Sequence, residues 1–143
     1  MTERVLSDPN FAAAAVPAGY ALGAGTGNTV FIPNMYGGKG TIEVRHFFRR
    51  EGFAAPAVLL IYIIPPGAGE GTHTHEPGNT LTGSFDEFYY IIAGKARMEV
   101  DGRHIDVERG EYVFVPNGVP HGIENPSEDT PLEVHLVAMA RMG

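Results

Sequence analysis

Short stretches of apolar or alternating residues, separated by turns rich in glycine and proline, fill the chain from Thr41 onward. The segment TIEVRHF alternates, which places Ile42, Val44 and His46 on one face of a strand. The segment VLLIYII, residues 58–64, is apolar throughout, and this is typical of a strand covered on both sides. Each of these patterns predicts a strand, and none of them has the period of a helix.

A tight hairpin is predicted further along. Asp101-Gly102 separates two strand patterns, and this dipeptide strongly favours a two-residue hairpin turn. Many short strands with glycine and proline turns, and no long helical period, predict an all-β fold, either a sandwich or a barrel.

Residues 1–40 have a different composition from the rest and are rich in glycine and proline. We expect them to form an N-terminal arm that wraps over a barrel of residues 41–143 or contacts a second subunit. Within the arm, Val30 to Ile32 predict a short edge strand that ends at Pro33. The apolar residues of the arm favour a homodimer, because exposed apolar groups in such number are typical of a partner surface.

Composition and net charge exclude several classes of function for this protein. The 143 residues are 43% hydrophobic and 19% charged, which fits one globular domain. The net charge of −7 argues against a nucleic-acid partner. The absence of cysteine removes disulfides and thiolate chemistry and fits a cytoplasmic location. No apolar run approaches the ~20 residues that a membrane helix needs, so no membrane partner is expected.

Candidate chemistry centres on PGAGEGTHTH, residues 66–75. His73 and His75 are two residues apart, so on a strand both side chains point to the same face. Imidazole is the commonest protein ligand for transition metals near neutral pH. The pair therefore indicates half of a metal coordination shell.

The surrounding spacing resembles the cupin family. The first cupin motif is a glycine, five residues, His-x-His, a glutamate, six residues and a glycine. The matching residues here are Gly67, His73, His75, Glu87 and Gly94. The second motif is matched by Gly110, Pro116, Gly118, His121 and Asn125. The resemblance covers roughly residues 41–140 and implies the cupin jelly-roll β-barrel, a double-stranded β-helix, as one domain.

One spacing departs from the family pattern. The family usually places its glutamate four or five residues after the second histidine, whereas Glu87 comes much later here. We interpret the intervening residues, Glu76 to Asp86, as an enlarged loop, either a lid at the mouth of the pocket or a surface loop with no contact to a ligand. Glu76 is a rival ligand, but on a continuing strand it would face away from His75.

The resemblance implies that His73, His75, Glu87 and His121 bind one divalent transition metal ion. The donor set suits Fe, Mn, Zn, Ni, Co and Cu, so the residues do not choose among these metals. Three imidazoles and one carboxylate leave one or two positions open for water or substrate oxygens.

Two further residues are candidates for catalysis. Tyr89 shares the strand parity of Glu87, as does Ile91, and both are expected to face into the pocket. His46 shares a face with Ile42 and Val44, which makes it a candidate for the pocket lining, although a single histidine on such a face is more often structural. Neither has a spacing that identifies it as the general acid or base.

The predicted function is that of a metal-dependent enzyme acting on a small oxygenated organic substrate. Two chemistries remain open. One is O2-dependent, of the dioxygenase type, and the other is redox-neutral, of the polyketide-cyclase or isomerase type. The alternative is a non-catalytic cupin that binds a small molecule.

Overall fold

The computed structural model describes residues 26–47, 57–75 and 85–140. Within these ranges the chain forms nine β-strands and one short 3-10 turn, Met35–Gly37. The strands are β1 (Asn28–Pro33), β2 (Thr41–Phe47), β3 (Ala57–Ile64), β4 (Phe85–Ala93), β5 (Lys95–Val100), β6 (Arg103–Glu108), β7 (Tyr112–Val115), β8 (His121–Glu124) and β9 (Leu132–Ala140). The all-β prediction is confirmed.

The strands form two antiparallel sheets. One has six strands in the order β1-β2-β3-β9-β4-β7, and the other has three in the order β6-β5-β8. Isolated bridges connect the segment after β3 to other parts of the chain; two of them are Gly69 with Glu124 and His73 with His121. The sheets do not close through a continuous ladder, yet they enclose one core as the predicted jelly roll does.

One apolar core lies between the sheets. It takes side chains from both of them, including Val44 and Leu136 of the larger sheet and Met98 and Ile123 of the smaller one. The strands of the larger sheet alternate, so one face points into this core and the other points outward.

Strand β3 corrects one expectation. Tyr62 and Ile64 are buried in the core, but Leu59 is 44% exposed. The prediction that this strand is covered on both sides is wrong for the single chain. The residues are apolar on both faces, whereas the described part of the chain covers only one of them.

On β4 the predicted parity is confirmed. Glu87, Tyr89 and Ile91 are all buried and face inward. Phe88 and Tyr90 are half-buried on the opposite face, where both rings contact Tyr112 of β7. A line of aromatic side chains therefore lies on the outer surface of the larger sheet.

Two local predictions are also confirmed. β1 is an edge strand of the larger sheet and ends at Pro33. Asp101 and Gly102 both have positive φ, 52° and 77°, which is the geometry of a tight two-residue hairpin between β5 and β6. The expectations for residues 1–25 and for loop residues 76–84 lie outside the described residues. In the ranges that are described, no helix has the length and apolar character needed to span a membrane.

Candidate metal centre

His73 and His121 are paired through their backbones. Each N–H donates to the other residue's carbonyl oxygen, both at 2.9 Å. This isolated antiparallel bridge joins the segment after β3 to the first residue of β8. It brings the two imidazole rings to a centroid separation of 4.4 Å. The backbone of each motif therefore holds the histidine of the other motif in position.

Nearby carbonyl groups set the orientation of both rings. His73 Nδ1 lies 2.8 Å from the Gly71 carbonyl oxygen, and His121 Nδ1 lies 2.9 Å from that of Val119. Because a carbonyl oxygen only accepts hydrogen bonds, each Nδ1 carries the ring proton. With the proton on Nδ1, the Nε2 atom of each ring is the one placed to bind a cation.

His75 and Glu87 complete the group. Glu87 Oε1 contacts His75 Nε2 and lies 3.8 Å from His121 Nε2. One ligand atom from each of the four residues lies within 4.8 Å of the others. His75, Glu87 and His121 are buried, and His73 is half-buried, so the group is shielded from solvent on most sides.

Burial and charge give these side chains the protonation states that a metal requires. Burial lowers the pKa of His73 to about 4, and the neighbouring His121 and His75 rings act in the same direction. Burial alone would raise the pKa of Glu87, but its contacts with the His121 and His75 rings outweigh that effect and hold the pKa at about 2. At neutral pH, His73 is therefore neutral and Glu87 is ionised, and these forms bind cations.

Other motif residues support the site without entering it. The Gly118 N–H donates to the His75 carbonyl oxygen at 2.7 Å, which anchors the turn that precedes His121. Gly118 has a φ of 85°, a value that favours glycine. The buried Asn125 side chain donates to the carbonyl oxygens of Ile64 and Thr130. Asn125 therefore holds the end of β3 against the loop before β9.

A second carboxyl group, missed by the sequence reasoning, lies deep in the core. Glu70 is only 6% exposed and accepts a hydrogen bond of 3.0 Å from the Tyr89 hydroxyl to its Oε1. Burial raises the pKa of Glu70 well above its usual range, and the charge of Glu87 raises it further; the hydroxyl groups of Tyr89 and Tyr62 act in the opposite direction on this pKa. Burial therefore favours the protonated form of Glu70, whereas the neighbouring rings favour the ionised form of Glu87.

Tyr36 covers one side of the group, and it too was missed. Its ring stacks on His73 at a centroid distance of 3.7 Å and an interplanar angle of 18°. Tyr36 has a φ of 51°, which is rare for a bulky residue. A Cβ atom at Gly71 would lie 1.9 Å from the Tyr36 carbonyl oxygen, so only glycine permits this close approach.

The two candidate catalytic residues have different positions. Tyr89 is completely buried, and its ring lies 5.8 Å from that of His121, next to the four-residue group. His46 is half-buried on β2, on the face of Val44, and does not belong to the group. The rival ligand Glu76 lies outside the described residues.

Comparisons with known proteins agree with this geometry. The family model described as "Cupin domain" matches residues 60–138. An "Oxalate-binding protein" of Thermotoga maritima is 36% identical over 95 residues, which are 66% of this chain and 73% of that protein. The "Tetracenomycin polyketide synthase protein TcmJ" of Streptomyces glaucescens is 31% identical over 81 residues, 53% of this chain and 54% of that one.

A solved structure extends the likeness to almost the whole chain. The crystal structure of a "predicted oxalate decarboxylase" from Thermotoga maritima has a TM-score of 0.70 and 26% identity, and covers 96% of this chain and 100% of that one. The chain belongs to the cupin family.

Proposed function

We propose that this cupin binds one divalent transition metal ion through His73, His75, Glu87 and His121 and acts as an enzyme on a small oxygenated organic substrate. The observation that carries the proposal is the convergence of three imidazoles and one carboxylate, with ligand atoms within 4.8 Å of one another.

The donor atoms fit a metal ion. His121 Nε2 is buried and has no hydrogen-bond partner among the described residues, because Glu87 Oε1 at 3.8 Å is too far away. Leaving such an atom unsatisfied costs about 1–3 kcal/mol, and a cation at the centre of the group would remove that cost. The nitrogen and carboxylate donors suit Fe, Mn, Zn, Ni, Co or Cu.

A bound ion of this kind would supply a Lewis acid for a substrate oxygen. The chain itself contributes the rest. Tyr89 and Ile91 are buried on the face of β4 that carries Glu87, and we propose that they form an apolar wall that strengthens charge interactions within the site. Tyr36 shields the exposed side of His73. We propose that loop residues 76–86 close over the substrate and that His46 lines the outer part of the pocket.

Of the two chemistries, we propose the redox-neutral one. Burial raises the pKa of Glu70 while the His75 and His121 rings lower that of Glu87, and two carboxyl groups with pKa values moved apart are typical of acid–base chemistry. The relationship to a polyketide synthase protein is compatible with this class. Turnover should survive both removal of O2 and exchange of the native ion for zinc. Loss of turnover in both experiments would assign the O2-dependent chemistry instead.

A second candidate function is non-catalytic binding of a small molecule. The relative named "Oxalate-binding protein" favours it. Calorimetry with oxalate on the metal-loaded protein, followed by product analysis, separates the two. Binding without any chemical change across a panel of small oxygenated acids would support the binding role.

We also propose that the chain forms a homodimer through the edges of its larger sheet and the N-terminal arm. Both edge strands expose large aromatic side chains. Phe31 on β1 is 65% exposed, and Tyr112 and Phe114 on β7 are 63% and 51% exposed. Large exposed aromatic side chains of this kind are typical of a protein interface.

A further inference from the structure

Glu70 is the buried ionisable group that the proposed metal site leaves without a role. Its side chain is 6% exposed, and the Tyr89 hydroxyl occupies only one of its two oxygens, Oε1. The other oxygen, Oε2, is buried and has no hydrogen-bond partner among the residues that the structure describes. An unsatisfied carboxyl oxygen inside a core is costly, and such an atom calls for an explanation.

The contacts of Glu70 connect it to the proposed metal ligand His121. Tyr89, which binds Glu70, packs its ring against that of His121. The Glu70 N–H donates to the carbonyl oxygen of Ile123, two residues after His121. The titratable groups that interact electrostatically with Glu70 inside the core are Tyr36, Tyr62, Tyr89 and Glu87, and none of them is positive. Arg97 and His104 line a small cavity together with Glu70, but both are exposed, so solvent screens their charge.

We propose that Glu70 is a neutral carboxylic acid whose Oε2–H donates a hydrogen bond to an oxygen of the ligand bound beside His73 and His121. This inference rests on the proposed function, since that function supplies the ligand. Oε1 accepts the hydrogen bond of Tyr89, which orients the acid and leaves Oε2 as the donor. The predicted ligand class is therefore a small molecule with an anionic or carbonyl oxygen.

The same geometry allows a proton transfer. The Oε2–H bond of Glu70 breaks, a new O–H bond forms on the ligand oxygen, and the electron pair stays on the Glu70 carboxylate. The Tyr89 hydroxyl then stabilises that carboxylate through its existing hydrogen bond. The transfer needs no oxidant and no second co-reactant.

The first test does not depend on a metal or a substrate. Infrared difference spectra of the metal-free protein at neutral pH compare wild type with Glu70→Gln, and with Glu128→Gln at an exposed glutamate as the control. The proposal expects a protonated carboxylic acid band that disappears only in Glu70→Gln. Loss of an ionised carboxylate band in Glu70→Gln would overturn it, even if the metal site were correct.

The second test uses the metal-loaded protein with oxalate as an oxygen-donor probe. Glu70→Gln retains a hydrogen-bond donor and should bind oxalate within about threefold of wild type. Glu70→Leu has no donor and should bind about tenfold more weakly or worse, with its metal content unchanged. Equal binding by both variants would overturn the proposal. Failure of wild type to take up metal would instead refute the proposed function and leave the infrared result standing.

Discussion

His73 and His121 lie 48 residues apart in the chain, yet they exchange two backbone hydrogen bonds of 2.9 Å. The bridge has consequences for both rings. Because each backbone is held by the other, the two Nδ1–H groups meet their carbonyl acceptors and the two Nε2 atoms are directed to one place. The site is therefore organised by the fold before any ion binds, which lowers the entropic cost of binding.

Replacing Glu70 by glutamine should change how stability depends on pH. The folded protein raises the pKa of Glu70 above its ordinary value of 4.5. Its contribution to stability is therefore complete below that value and is lost as the pH rises toward the folded-state pKa. Glutamine does not titrate, so the Glu70→Gln variant does not show this loss. Relative to the variant, the free energy of unfolding of the wild type should fall by up to about 1.4 kcal/mol per pH unit. Urea denaturation of the metal-free proteins at several pH values measures the difference. Parallel pH curves for the two proteins would contradict it.

Removing the ring of Tyr36 should alter the titration of His73. In the metal-free protein, burial is the main reason why the pKa of His73 is about 4. Tyr36→Ala uncovers the ring, so the pKa should rise toward 6.5. NMR titration of the imidazole protons measures this shift. Tyr112→Ala, which removes an exposed ring from the outer face, is the matched control and should leave His73 unchanged. Identical titrations in both variants would show that Tyr36 does not shield the site.

The sheet edges should hold two subunits together. Sedimentation at micromolar concentration should give about twice the monomer mass of 15.4 kDa. Phe114→Lys places a charge on the exposed edge strand β7 and should dissociate the dimer. Ile105→Lys makes the same change on the smaller sheet and should not. A monomeric wild-type protein would refute the assembly.

The carboxylate ligand can be identified by two isosteric changes. Glu87→Gln removes the charge that lies among the three imidazoles and should weaken metal binding about tenfold or more. Glu76→Gln should have little effect. Metal titration of both variants decides between them, and the reverse outcome would assign the ligand to the loop.

The sequence motifs predicted that His73, His75, Glu87 and His121 lie together, because the spacing of the motif residues is set by the strands and turns that carry them. Strand parity also placed Tyr89 correctly beside Glu87, since β4 is a regular strand. Parity also paired His73 with His75 correctly, but it does not extend back to Glu70, because isolated bridges replace a continuous ladder between Gly69 and His75. Glu70 is an odd number of residues from His73 and would be expected on the opposite face, yet it lies in the core.

Tyr36 could not have been found in this way. Its position depends on a positive φ in a non-glycine residue and on close backbone contact with Gly71. Neither feature leaves a periodic pattern in the sequence, because both arise from tertiary packing. The one available signal was the density of glycine in the two segments, which permits such an approach but does not specify which residues meet.

The most direct test of the metal centre is metal content by elemental analysis after purification and dialysis. Wild type should retain about one transition metal ion per chain. His75→Ala and His121→Ala should each lose nearly all of it. His104→Ala, at an exposed histidine in the hairpin that follows β5, should retain it. Full metal occupancy in both His75→Ala and His121→Ala would show that the four grouped residues do not form the metal site.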